Sequence, residues 1–207
     1  MIIYATKKML DIYKLNTPDE MISEISPLAK KLREIEKDNS LYQWGCKLFY
    51  FDGKKCLELM HFETKFVVFL INYKVGYIDN TMNDVFNYIF DMYSSDKEMV
   101  KALKKYVKSS PVSIFDKITN RSIISSLNHV QSDWAWDGSR FYNYIKDGIL
   151  HTKKINRDVN DFITTIKINN KSKYIVPYEY FAKVMKKNLN NKFKKSRIQD
   201  HLTFLIY

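Results

Sequence analysis

Residues 44–73, WGCKLFYFDGKKCLELMHFETKFVVFLINY, decide the fold. Side-chain character here alternates with a period of two, the signature of strands with distinct faces. Asp52-Gly53 sits in the middle, and this pair suits a two-residue hairpin turn because both residues tolerate positive φ. Strands near 46–51, 54–61 and 65–73 follow, joined as an antiparallel meander. Pairing across the turn sets Phe51 opposite Lys54, Phe49 opposite Cys56, Lys47 opposite Glu58 and Cys46 opposite Leu59. The third strand carries Phe66-Val67-Val68-Phe69-Leu70-Ile71, apolar on both faces, which predicts a central position in the sheet.

Working outward, residues 2–5 read as a short strand and Thr6 opens a helix running to Leu15, with Met9, Leu10 and Tyr13 inward. Thr17-Pro18-Asp19-Glu20 has the cap, first-position proline and third-position Glu of a helix start, and Ser26-Pro27 repeats the signal before a stripe of Leu28, Leu32 and Ile35. Beyond the meander, Met82, Val85, Phe86, Ile89 and Tyr93 mark one helical face. Ser95-Asp96-Lys97-Glu98 caps another helix with Met99, Leu103 and Tyr106 inward. Thr119-Asn120 precedes a short helix with Ile123, Ile124, Leu127 and Val130 aligned. A loop at 134–138 then leads to a helix at 139–147. Residues 162–168 and 173–176, split by Asn169-Asn170, form a second hairpin, and Tyr178 begins a closing helix. Strands embedded among helices without βαβ alternation define the α+β class. The expected architecture is an antiparallel β-meander (about 46–73) and a second hairpin (about 162–176) packed against several helices. It forms one domain, 1–207, whose residues 178–207 are a basic C-terminal helix and tail.

Charge is segregated. The chain carries a net +11, and residues 151–207 hold 13 Lys and Arg against 4 Asp and Glu, leaving only +2 for residues 1–150. A localised excess of this kind suits polyanions or an acidic protein surface. On the closing helix Tyr178, Phe181, Ala182, Met185, Leu189 and Phe193 fall on one arc, with Lys183, Lys186, Lys187 and Lys194 on the opposite one. Lys192, Lys195 and Arg197 extend the charge. Long ammonium side chains on such a face suit phosphates, although a solvated amphipathic helix has the same pattern. Tyr174, Tyr178 and Tyr180 stand beside these lysines, where a base can stack or where a tyrosine can be half-buried core.

Other constellations bear on function. His151, near Lys153, Lys154 and Arg157, supplies the acid–base and cationic residue types of a metal-free ribonuclease. Arg121, in the first turn of a helix, opposes the dipole unless it reaches a carboxylate or carbonyl. Trp134 and Trp136 suit either a partner contact or a lid over the core. The four histidines and two cysteines have no metal-ligand spacing, and no phosphate loop or serine-hydrolase motif occurs, so neither a metal nor a cofactor is expected. The absence of a long apolar run or leader pattern predicts a cytoplasmic protein with no membrane partner.

Several strings resemble those of a known family. These are Ile3-Tyr4-Ala5-Thr6-Lys7-Lys8, Trp44-Gly45-x-Lys47-Leu48-Phe49-Tyr50-Phe51-Asp52 with Lys55-Cys56-Leu57, Lys65-Phe66, and Arg121-Ser122-Ile123-Ile124 through Asn128. The family is a domain of unknown function found in small proteins of bacteria, plasmids and phages. The resemblance spans roughly residues 1–180 and implies an α+β domain, often on mobile DNA, without implying a reaction. Together these features predict a nucleic-acid- or ribonucleoprotein-binding accessory protein acting through its basic C-terminal region. The alternatives are a counter-defence inhibitor of the anti-CRISPR kind acting on a host defence complex by protein contact, and a metal-independent ribonuclease or toxin.

The hairpin register generates the first prediction. Side chains alternate faces along a strand, so Cys46 and Cys56 point to opposite sides of the ribbon and cannot be bridged. Intact mass under non-reducing conditions should show two free thiols per chain; an intramolecular Cys46–Cys56 bond would overturn the register.

Overall fold

The computed structural model describes residues 1–135, 140–168 and 171–190. In chain order the elements are β1 (Ile2–Ala5), α1 (Lys7–Tyr13), α2 (Ser26–Glu36), β2 (Gln43–Phe51), β3 (Lys54–His61), β4 (Val67–Leu70), α3 (Thr81–Met92), α4 (Lys97–Ser109), β5 (Ile114–Lys117), α5 (Arg121–Ala135), β6 (Ile145–Lys146), β7 (Ile149–Leu150), α6 (Thr152–Asp158), β8 (Thr164–Ile168), β9 (Lys171–Ile175) and α7 (Pro177–Asn190). The class is α+β, as expected.

The meander forms in the expected register: Phe51 pairs with Lys54, Phe49 with Cys56, Lys47 with Glu58 and Cys46 with Leu59. Asp52 and Gly53 take φ of 47° and 70°, the conformation the turn requires. Both cysteines are free and buried, Cys46 in the cluster on one face of the sheet and Cys56 in the cluster on the other. The sheet is larger than the meander. Its strand order is β4-β3-β2-β1-β5, with β1 parallel to both β2 and β5. The segment that forms β5 had given no recognisable strand signal.

Each face of the sheet is covered. Side chains of α1, α3, α4 and α7 pack with Trp44, Phe66 and Val68 on one side. Those of α5 and α6, with the 3-10 turn Arg140–Tyr144, pack with Phe49, Phe69 and Met60 on the other. A Cβ at Gly45 would stand 2.6 Å from Ile123 Cγ2, so glycine is what lets α5 lie directly on β2.

The structure corrects four sequence expectations. The third strand, β4, lies at an edge rather than centrally, yet all four of its residues are buried. Helix α6 closes that edge. Asn156 Oδ1 accepts the Phe69 N–H at 2.7 Å while its Nδ2 donates to the Phe69 carbonyl at 3.0 Å. Asn160, in the 3-10 turn after α6, makes the same pair with Val67 at 2.8 and 2.7 Å. Four helical residues advance about 6 Å and two strand residues about 6.6 Å. Carboxamides at i and i+4 therefore match peptide units at i and i+2.

Half of the capping box at 17–20 forms, with the Thr17 N–H and hydroxyl donating to Glu20 Oε2 at 3.0 and 2.8 Å and the Glu20 N–H going to the Thr17 carbonyl. It closes a turn rather than a helix, since Ile22 is fully exposed and no apolar face continues beyond it. Residues 140–147 form the 3-10 turn and strand β6 instead of a helix. Finally, α5 continues through Trp134 and Ala135 rather than ending in a loop. The second hairpin is present as β8 and β9; its Asn169-Asn170 turn lies outside the described residues.

Two predictions follow from this packing. Asn156→Leu leaves the Phe69 N–H and carbonyl buried without partners, and at about 1–3 kcal/mol for each group this should cost about 2–6 kcal/mol in denaturant unfolding. A variant as stable as the parent would mean that β4 finds its edge partners elsewhere.

His61 is wholly buried, with Nε2–H donating to the Leu41 carbonyl and Nδ1 accepting from the Thr64 hydroxyl, both at 2.9 Å. Burial lowers its pKa from 6.5 to about 4, against the raising effect of the Leu41 carbonyl. Its contribution to stability is thus complete above pH 6.5 and is lost as pH falls through about 4, because the unfolded chain binds the proton first. The shift corresponds to about 3 kcal/mol. Stability of the parent should fall by about that much relative to His61→Gln across this window, and parallel curves would refute the assignment.

Candidate nucleic-acid interface

Helix α7 begins at Pro177, a residue suited to the first helical turn, and has Glu179 in that turn. Its apolar side is anchored deeply. Phe181 and Met185 are fully buried, and the Phe181 ring meets Phe66 at 4.5 Å and Trp44 at 6.4 Å. Tyr178 is stacked on Tyr93 at 4.4 Å and lies beneath the Arg157 guanidinium at 3.7 Å. It is therefore part of the packing and not a free stacking platform.

The lysines of α7 separate into two groups. Lys183 and Lys187 are exposed one turn apart. Lys186 turns toward α4 and donates to Asp96 Oδ2 at 2.6 Å. Asp96 is also the N-cap of α4, accepting the Met99 N–H at 3.0 Å. The Lys186 ammonium foremost, then the Met99 N–H, hold the Asp96 carboxyl below its ordinary range. Lys186 ties two helices together, so it does not stand on the open face with its neighbours. Lys192, Lys194, Lys195 and Arg197 lie outside the described residues.

The hairpin β8–β9 adds what sequence reasoning missed. Lys167, Lys171 and Lys173 are all exposed on it, and no acidic residue occurs in either strand. Lysines at 167, 171 and 173 around a turn without an acid are a signal that was available in the sequence. Tyr174 is 78% exposed and Ile163 is 71% exposed. With Tyr180, Glu179 and Lys183 they line a hollow of about 320 Å³ between hairpin and helix. A ring open to solvent, a shallow apolar floor and an ammonium at the rim are the elements of a base-stacking, phosphate-binding surface. On α4, Lys97, Lys101, Lys104 and Lys108 are also exposed.

The other candidate residues do not assemble. His151 is exposed at the start of α6, while Arg157 is engaged by the Tyr178 ring and by Asp161 at 3.7 Å. Six residues along a helix place the two about 120° apart around its axis, so they do not converge on one reacting atom. Arg121 is exposed and forms no ion pair among the described residues; Asn120 caps its helix by accepting the Ile123 N–H at 3.1 Å. Trp134 is buried, with Phe162 at 5.5 Å and the Arg140 guanidinium at 5.3 Å, and so presents no partner surface. Trp136 lies outside the described residues. Among the described residues there is no metal-binding group of side chains, and no helix is long and apolar enough to cross a membrane.

The fold and this surface define an α+β protein with exposed lysines on one helix and one hairpin. The chain belongs to the family described as a domain of unknown function, DUF6933, whose profile matches residues 2–180. No curated protein and no solved structure matches it. The family match ends partway along α7, so Lys183 and Lys187 lie past its boundary while the hairpin lies within it.

Proposed function

We propose that this protein binds single-stranded nucleic acid, free or within a ribonucleoprotein, as a non-enzymatic accessory factor. The observation that carries this reading is the shared hollow of Tyr174 and Lys183, with Lys167 on the same face of the hairpin as Tyr174. A π-face open to solvent in the same hollow as an ammonium suits a base and its phosphates without sequence preference. The strongly basic segment 191–207, with Lys192, Lys194, Lys195 and Arg197, supplies further charge to the same end of the chain.

A second reading rests on the same exposed apolar pair. Ile163 and Tyr174 also suit a protein partner with an acidic rim, as in a counter-defence inhibitor of a nucleic-acid-handling complex. Salt dependence separates the two.

Binding of labelled single-stranded RNA and DNA, measured by anisotropy across salt concentration, tests the proposal. Lys183→Glu with Lys187→Glu should flatten the salt slope by about 1.4 units or more, at about 0.7 per phosphate contact on a single strand. Tyr174→Ala should weaken binding by about 1–3 kcal/mol and leave the slope in place. A parent that binds neither polymer, or variants that bind as the parent does, would remove this reading and leave the protein-partner one.

A further inference from the structure

On the far side of Tyr180 lies a second, larger concavity of about 740 Å³, between the N-terminus of α5, the end of α2, the β3–β4 turn and the β8–β9 hairpin. Lys65 lines it, held by the β3–β4 turn at φ 58°. The residue is 9% exposed; its ammonium keeps some contact with solvent, and among the described residues it has neither an ion pair nor a hydrogen bond. A largely desolvated cation with no counter-ion among the described residues is costly, since no attraction offsets its partial desolvation. Around it are groups of the kind that hold an oxyanion. Asn120 and Ser122 stand at the N-terminus of the fifteen-residue helix α5, where unpaired N–H groups and the helix dipole favour negative charge. Thr165 and Ser172 offer hydroxyls from the hairpin, and Lys167 stands at the rim.

We infer that this cleft binds a phosphomonoester borne on a nucleoside, with the Lys65 ammonium as the counter-charge of the phosphate. The size of the cleft is that of a small-molecule site. The rings of Phe62 and Tyr180 line it and suit a base, while Asp38 and Glu63 suit the hydroxyls of a ribose as acceptors. Burial lowers the Lys65 pKa from 10.5 to about 8, so the free site is partly neutral in mildly alkaline solution and an arriving phosphate draws a proton onto it. The charged groups that share a hollow with Lys65 are Lys37, Asp38, Glu63 and Lys167 in the cleft, and His129, Asp133 and Arg140 in a smaller hollow that it also lines.

The source of the phosphomonoester is a free nucleotide or the phosphorylated end of a single strand, and the experiment distinguishes them. Calorimetric titrations of the full chain use adenosine and uridine 5′-monophosphates, adenosine, inorganic phosphate, and short oligonucleotides with and without a 5′-phosphate. The monophosphates should bind more tightly than adenosine, and a preference for the 5′-phosphorylated strand over the 5′-hydroxyl strand would mark a strand end as the source. Lys65→Met should weaken monophosphate binding about 30-fold or more, as for loss of one member of a buried charge pair. It should leave thermal stability equal or higher, because the removed ammonium has no partner among the described residues. Titrations near pH 8 in buffers of different ionisation enthalpy should show proton uptake that Lys65→Met abolishes.

Tyr174→Ala and Lys183→Glu should leave monophosphate binding unchanged, so this site and the hairpin–helix surface fail or stand separately. Absence of binding by every phosphate-bearing probe overturns the inference. So does equal affinity of parent and Lys65→Met, or binding of adenosine as strong as that of its monophosphate.

Discussion

The carboxamides of Asn156 and Asn160 on the free edge of β4 are the contact on which the rest of the structure depends. A side-chain amide presents a carbonyl acceptor beside an N–H donor, as a peptide unit does, and the second N–H of Asn160 goes to the Asn156 carbonyl at 2.8 Å. Two such amides, one helical turn apart, therefore act as a short strand. They let an edge strand be apolar on both faces without offering unpaired backbone to water or to another chain. They also fix the place of α6. From that helix Arg157 reaches the Tyr178 ring, which is stacked on Tyr93 at the C-cap of α3. One set of four hydrogen bonds thereby links the sheet edge to the helix that carries the exposed lysines.

What was legible in the sequence was local. Asp52-Gly53 dictates a turn with two positive φ values, and that turn leaves one register that keeps Phe49 and Cys56 on one face and Leu48 and Leu57 on the other. The position of β4 was not legible, because apolarity on both faces reports burial and not strand neighbours. Its real neighbours are polar residues about 90 positions later, whose character in a local window suggests solvent. Trp134 could have been placed, since Ile123, Leu127, Val130 and Trp134 keep helical spacing to the end of α5. Lys186 could not, because its separation from Lys183 and Lys187 rests on a carboxylate in another helix.

The lysines of this chain illustrate how one residue type serves opposed ends. Lys183 and Lys187 keep their ammonium groups in water, where each interacts weakly and at long range. Lys186 spends its charge on Asp96 and contributes to packing. Lys65 is largely withdrawn from water with no counter-ion among the described residues, a state that a bound anion would complete. A count of basic residues treats all four alike, whereas the surroundings of each ammonium decide what it does. The histidines divide in the same way: His61 is locked neutral between Leu41 and Thr64, while His151 and His129 are exposed and uncommitted to any shared site.

The place of β1 has a consequence for the order in which the chain acquires its structure. The strand precedes every other strand of the sheet in the chain, yet it lies between β2 and β5, and its pairing with β5 joins Ile2 to Ile114 and Ala5 to Lys117. The β2–β3–β4 meander closes over short loops and needs nothing beyond Leu70 for its own ladder. A ribosome-bound chain can therefore hold a formed meander with β1 docked on one side only, until more than a hundred residues have emerged. The β4 edge waits longer still for residues 156 and 160. Loop closures of this span are slow compared with hairpin formation, so the nascent protein passes through a stage in which both outer edges of its sheet are open and depend on later sequence for cover.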